Sequence, residues 1–288
     1  MLQEIDAIVT NFLQELRKKY GVATCDLRIE PSANKYSIKG KILSHKQQHS
    51  LATMLYAFAD HIKWEVEILE DAYPPLGWSY VEQTPVNIWN RTLVEDHLKF
   101  LTSQIIVKDE PLKLLWETSD FFCIQQMDKT IGWVRKHFIQ KYPTMPAWQP
   151  PIQKATNQRE FLAYINRWLG VPYLRGGLTT QGVDCSGLVQ NVYRHQFQYL
   201  LPRHSMDQMK VGTQIDNPQL GDLAFFEFHH PGSDSVTSHV GIVIDPDTNT
   251  IVHASLEMEK KVVSNSLVEM TQKGYRFLGY RRYQVEIL

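Results

Sequence analysis

Apolar positions over the first twenty residues recur at helical spacing. In "LQEIDAIVTNFLQELRKKY" the side chains of Leu2, Ile5, Ile8, Val9, Phe12, Leu13 and Leu16 share one face, and Gly21 ends the run. The period then shortens. "VATCDLRIE" and "YSIKGKIL" alternate on either side of the turn "PSANK", "KQQHSLATMLYAFADH" returns to helical spacing, and "WEVEILE" alternates again. The pattern predicts an α-β-β-α-β unit over residues 1–72, with Cys25 on the core face of a strand. Pro74, Pro75 and Gly77 in "DAYPPLGWSY" punctuate the boundary that follows.

Residues 73–142 carry short β-rich runs separated by the turns "KDEP", "ETSD" and "MDKT". Cys123 lies among aromatics in the run "FFCIQQ", which predicts a structural role for it. A short amphipathic piece, "RKHFIQKYP", leads into residues 143–154, where Pro143, Pro146, Pro150 and Pro151 predict a semi-rigid linker. Residues 155–288 change character. The helix "NQREFLAYINRWLG" is followed by the glycine-rich loop "VPYLRGGLTTQGV". A second helix, "CSGLVQNVYRHQF", shows Leu188, Val189, Val192 and Tyr193 at helical spacing. The strands "DLAFFEF", "SHVGIVID", "TIVHAS" and "RFLGYRRY" follow. A helix that starts on a cysteine and packs on an antiparallel sheet is an α+β layout.

Composition narrows the classes. The chain is 43% hydrophobic and 21% charged with a formal net charge of −1, and no basic block stands out, so a nucleic-acid partner is not expected. Three widely separated cysteines predict thiols in a reducing compartment rather than a disulfide framework. The N-terminal helix bears Glu4 and Asp6 and lacks a basic leader region, and no run reaches the roughly 18 apolar residues of a membrane span. The expected location is the cytoplasm, or outside it had a native leader been removed.

Candidate chemistry centres on "GVDCSG". Asp184 suits an N-cap, which puts Cys185 at the first helical position, where the helix dipole favours thiolate and the free N–H groups suit an oxyanion. His239 in "TSHVGIVID" is the candidate base. His253 in "TIVHAS" lies fourteen residues on, across the turn "DPDTNT", a spacing that suits adjacent hairpin strands and lets one ring orient the other. Cysteine is also among the most buried residue types, and the chain uses histidine freely, at His195, His204, His229 and His230. On these residues alone, catalytic and structural readings both stand. No C-x-x-C or H-E-x-x-H spacing supports a metal site, and no metal or cofactor is expected.

From about residue 160 to 283 the ordered pieces "VPYLRGG", "GVDCSGLVQNVYR", "LPRHSMDQ", "GDLAFF", "SHVGIVI" and "IVHAS" resemble the NlpC-type cell-wall cysteine peptidases, compact papain-like enzymes. The resemblance implies Cys185 as nucleophile, His239 as base and His253 as the third polar residue. It further implies Tyr173 near the reacting carbonyl, and Asp184 and Ser186 lining the pocket for the substrate's amino end. Leu174 and Arg175 stand where the family usually has a tryptophan. Arg175 could meet a substrate carboxylate or be a solvated loop charge. His204 stands where a small hydroxyl residue is common. "SQIIVKDEPLKLL" and "GWV" resemble a bacterial SH3-like barrel, and the first segment is similar to the small domains named BON. Relatives with an SH3-like module cut the γ-D-glutamyl–diamino acid bond of free peptides that begin with L-alanine, so peptidoglycan stem peptides are the implied partner. In those enzymes the module closes one side of the site. A wall-binding scaffold, and an amidase or acyltransferase on the same fold, remain as alternatives.

Overall fold

The computed structural model describes residues 1–32, 35–92, 100–144, 146–149, 152–230, 232 and 234–288. The tip of the "PSANK" turn, residues 93–99 of "VNIWNRTLVEDHLKF", and Pro150 and Pro151 of the proline-rich stretch lie outside the described residues. The chain divides into two compact units, Met1–Phe100 with Val107–Trp148, and Leu101–Ile106 with Gln149–Leu288.

In the first unit α1 (Leu2–Tyr20) buries Ile5, Val9, Phe12 and Leu16, the stripe its apolar spacing predicts. β1 (Cys25–Ser32) pairs antiparallel with β2 (Lys35–Ile42). α2 (His45–Met54) starts at the Ser44 N-cap, and β3 (Ile62–Ile68) lies parallel to β2. The helix predicted as far as His61 stops at Met54 and passes into a 3₁₀ turn, Tyr56–His61. None of those six residues is fully buried, and among them only Phe58 packs against the core.

The strands that follow are β4 (Trp78–Tyr80), β5 (Val86–Trp89), β6 (Leu101–Ile105), β7 (Leu112–Glu117), β8 (Phe121–Gln125), β9 (Ile131–Arg135) and β10 (Gln140–Lys141). β6 groups with the second unit. The others form one sheet in the order β10-β4-β7-β8-β9-β5, and among the described residues no pairing closes it into a ring. Leu43 and Leu69 share a core with Leu115, Phe121, Cys123 and Trp133, so the first two sequence segments pack together. The Arg91 guanidinium donates to the Lys18 and Lys19 carbonyls, two of the acceptors that the end of α1 leaves without helical partners.

The second unit contains α3 (Gln158–Asn166), β11 (Leu178–Thr179), β12 (Gly182–Val183), α4 (Cys185–Phe197), α5 (Ser205–Val211) and β13 (Thr213–Ile215). There follow β14 (Leu223–His229), β15 (Val236–Asp245), β16 (Thr250–Ser255), β17 (Lys261–Ser266), α6 (Leu267–Gln272) and β18 (Tyr275–Arg282). The antiparallel sheet runs β13-β18-β14-β15-β16-β17, which is the α+β layout the pattern predicts. Within the glycine-rich loop, β11 and β12 form a two-residue ladder. The short elements β13, β17, α5 and α6 show too few residues for their period to be legible in the sequence.

Both faces of this sheet are covered. Leu223, Phe225, Val240, Ile242, Val252 and Ala254 pack with α3 and α4 on one face, while Ala224, Phe226, Val243 and Ile251 pack with Met270 of α6 and Tyr275 on the other. Ten of the thirteen α4 residues are buried, so its polar positions need internal partners. Gln190 donates to the Leu201 carbonyl at 2.8 Å, and Asn191 donates to those of Leu178 and Gly187. β15 and β16 approach closely at Gly241, where an added Cβ would lie 2.4 Å from Ile251 Cγ2 and 3.0 Å from His253 Cβ. Gly241→Ala is therefore expected to overpack this seam by about 1–3 kcal/mol. Thermal denaturation would read this as a Tm lowered by roughly 2–4 °C per kcal/mol. An unchanged Tm would show that the two strands separate without cost.

Candidate active site

α4 begins where its sequence places it, because Asp184 caps it. The Asp184 backbone is extended (φ −96°, ψ 175°), its Oδ1 accepts from the Gly187 N–H at 2.7 Å, and its carbonyl accepts the first helical bond from Leu188. The same carboxylate is a hub. Its Oδ2 accepts from the Gly176 N–H at 2.7 Å, tying down the glycine-rich loop. Arg203 donates to both oxygens, at 2.9 and 2.7 Å, and to Ser186 Oγ at 2.9 Å. Arg203 Nε also donates to Ser103 Oγ at 3.2 Å, and the Leu178 N–H donates to Gln104 Oε1 at 2.8 Å, so the β6 segment lines this cluster. The ion pair is buried, with side-chain exposures of 2% for Arg203 and 11% for Asp184.

Cys185 is 9% exposed. Its sulfur is within hydrogen-bond reach of the Val240 and Ser186 backbone N–H groups, which puts it beside the residue that follows His239. The helix dipole alone predicts a depressed thiol pKa, and the structure reverses that expectation. Burial, reinforced by the Asp184 charge, pushes the Cys185 thiol up to about 12, and the two N–H groups and the Arg203 charge oppose this only partly. At neutral pH the sulfur is a thiol.

His239 and His253 come together as the hairpin spacing predicts. His239 Nε2 and His253 Nδ1 are 2.9 Å apart, with the two rings nearly perpendicular at 88°. His253 is fully buried, and its Nε2 lies 3.2 Å from Asn265 Oδ1 on β17. Burial holds His239 well below the ordinary histidine value, and a charge on His253 would push it lower. Burial also lowers His253 to about 4, against the Asn265 hydrogen bond. Both imidazoles are neutral at pH 7.

Two tyrosines flank the cysteine. Tyr173 is half-buried, and its phenol is raised by burial and then by the Cys185 and Asp184 charges, so it stays protonated next to the sulfur. The Tyr275 ring lies 5.0 Å from that of His239. The Tyr275 hydroxyl hydrogen-bonds Ser255 Oγ at 3.1 Å and donates to Glu257 Oε2 at 3.2 Å. Arg175 is exposed on the loop, and His204 is the N-cap residue of α5.

All six residues singled out in the sequence thus fall in one unit, where Tyr173, Asp184, Cys185 and Ser186 form one linked group, His239 and His253 a second, and Val240 and Tyr275 connect the two. Arg203, Asn265 and Tyr275 are the functional neighbours that sequence reasoning missed. Arg203 was within reach, since an arginine in "LPRHS" alongside a buried aspartate is a natural partner. Nothing in the pattern marked Asn265 or Tyr275, because their elements had no visible link to the hairpin. Among the described residues, no group of three or more His, Cys, Asp and Glu side chains is arranged to hold a metal.

The NlpC/P60 family model matches residues 170–282, which include the cysteine and both histidines. "Probable endopeptidase NlpC" of Escherichia coli (strain K12) is 41% identical over 125 residues, covering 41% of this chain and 76% of that protein. "Gamma-D-glutamyl-L-lysine dipeptidyl-peptidase" of Bacillus subtilis (strain 168) is 37% identical over 79 residues, covering 27% of this chain and 26% of that protein. A solved NlpC/P60 family protein from Bacillus cereus aligns with 26% identity and a TM-score of 0.39, covering 72% of this chain and 63% of that one. The chain thus spans about three quarters of the first relative, about a quarter of the second and under two thirds of the third. On the family model and the first relative, the chain belongs to the NlpC/P60 family.

Proposed function

We propose that the protein is a cysteine endopeptidase that hydrolyses the γ-D-glutamyl–diamino acid bond of peptidoglycan-derived peptides. The observation that carries this reading is a thiol at the N-terminus of a buried helix, within reach of the backbone N–H of Val240, the residue that follows His239 in a hydrogen-bonded pair of neutral histidines. The name of the Bacillus subtilis relative favours a γ-D-glutamyl bond.

Because burial favours the uncharged forms, the thiol and imidazole are the resting state rather than an ion pair. The His239 imidazole takes the thiol proton as sulfur attacks the carbonyl carbon, so charge separates only as the C–S bond forms. The carbonyl oxygen becomes an oxyanion, which in this reading the Cys185 backbone N–H at the start of α4 and the protonated Tyr173 hydroxyl receive. His239 returns the proton to the departing amine of the diamino acid. Water then enters, loses a proton to His239 and attacks the thioester, which releases the γ-carboxylate and restores the thiol. His253 Nδ1 stays within hydrogen-bond distance of His239 Nε2 and holds that ring in place.

Asp184 acts in this reading as a scaffold. Five donors, counting the Ser186 hydroxyl, already converge on its two oxygens. Contact with the amino end of an unblocked L-alanine then falls to Ser186, beside the Asp184 charge. The substrates are free peptides released from the wall, as the architecture of the wider family implies.

Three outcomes are expected. Cys185→Ala removes turnover of L-Ala-γ-D-Glu-diamino acid peptides, followed by mass spectrometry with free and acetylated L-Ala ends, and leaves Tm unchanged; retained turnover overturns the mechanism. Asp184→Asn leaves the buried Arg203 charge without its anion and destabilises the fold by about 3–5 kcal/mol, read by denaturant unfolding. The acid limb of kcat/KM lies below 6.5. His239 must be neutral to act as base, and its depressed pKa keeps it neutral as pH falls through the ordinary histidine value. A limb centred at 6.5 or above would place His239 in a solvated or anion-paired setting.

A further inference from the structure

The candidate mechanism needs His239 to present a lone pair, not an N–H, to the sulfur. Histidine has two neutral tautomers, and the bond made by the far nitrogen selects between them. In this chain the selection can be followed outward from the hairpin. His239 Nε2 meets His253 Nδ1 at 2.9 Å, and His253 Nε2 meets Asn265 Oδ1 at 3.2 Å. The Asn265 side chain also lies near the carboxylate of Glu269, close enough to help hold it below its usual value.

Glu269 is anchored in turn. It sits at the third position of α6 in a capping box with Ser266, whose N–H and hydroxyl donate to Glu269 Oε2 at 2.7 and 2.9 Å. These hydrogen bonds hold the Glu269 carboxyl below its usual value, so it is an anion at neutral pH. A carboxylate can only accept, so the nearby Glu269 charge favours the orientation the structure shows, with Asn265 Oδ1 toward His253 and the NH₂ group turned away from it. Its carbonyl oxygen then faces His253 and can only accept there. His253 therefore carries its proton on Nε2 and offers a lone pair at Nδ1. That lone pair accepts the Nε2–H of His239, which leaves His239 Nδ1 unprotonated.

We propose that Asn265, locked in orientation by Glu269, is a positioning residue that sets the tautomers of both histidines so that His239 Nδ1 is the base. This inference rests on the cysteine-peptidase reading. It adds a fixed direction to the chain from β17 through β16 to β15, with the helix-capping carboxylate as its reference charge. A reversed Asn265 amide would donate to His253 Nε2, force the proton to His253 Nδ1, and leave His239 with an N–H at the nitrogen that must accept the thiol proton.

The charged and titratable groups around this cluster are Cys185 with the Asp184–Arg203 pair, Tyr275 with Glu257, and Glu269 beside Asn265. Among these only Glu269 is linked through Asn265 to the far nitrogen of His253.

Nitrogen-15 NMR of the intact wild-type protein at pH 7 should show His239 and His253 protonated on Nε2 and bare on Nδ1. A proton on Nδ1 of His239 overturns the inference without any variant. Asn265→Ala should lower kcat on the order of 10²-fold with KM nearly unchanged, at a Tm near that of the wild type. Asn265→Asp still accepts from Nε2–H. It should recover most of the kcat and move the acid limb of kcat/KM to higher pH, because the added carboxylate stabilises the imidazolium. Full activity in Asn265→Ala, or an Asp variant no better than the Ala variant, overturns the assignment. Activity in Cys185→Ala would instead overturn the underlying peptidase reading, so the two failures are distinct.

Discussion

The buried ion pair between Asp184 and Arg203 organises the candidate site. One carboxylate caps α4, holds the glycine-rich loop through Gly176 and receives both arms of a guanidinium that also reaches Ser186 and Ser103. A charge that far from water is tolerable only with its partner and donors in place. The residues before and after Asp184 are therefore held within narrow limits, and Cys185 inherits its position from them. The start of α4, the loop that bears Tyr173 and the β6 segment all converge on this pair.

Burial sets the chemistry as much as geometry does. The helix N-terminus favours an anion at Cys185, but its effect is worth only about 0.3–2 kcal/mol. The loss of solvent around the sulfur and the adjacent carboxylate act against it and prevail, so the thiol pKa rises to about 12. The same burial depresses both histidines. Each group is thereby kept neutral until a substrate arrives, and proton transfer is coupled to bond formation. A water-exposed Cys–His pair with the same spacing would rest in a different charge state.

The sheet supports this arrangement through its two covered faces. Strict alternation along β14 sends Leu223 and Phe225 to one core and Ala224 and Phe226 to the other. Phe226 and Tyr275 then pack rings against His239, which excludes water from the imidazole and shapes its pKa. The absence of a side chain at Gly241 lets β16 approach β15 and brings His253 within hydrogen-bond distance of His239.

Much of this was legible in the amino-acid order. Helical spacing located α1 and α4, alternation located the long strands, and the polar cap before Cys185 identified where a helix had to start. The fourteen-residue interval between His239 and His253 was enough to predict adjacent hairpin strands, because local turn geometry governs that pairing. By contrast, Arg203, Asn265, Tyr275 and the charge state of Cys185 were decided only by tertiary structure. Their partners lie between 12 and 100 residues away, or on elements too short to show a period. The thiol is the clearest case. Sequence alone established a cysteine at the positive end of a helix and so predicted a lowered pKa, while desolvation by residues distant in the chain determined the opposite sign. Burial is a property of the packed whole, and no stretch around Cys185 carries it.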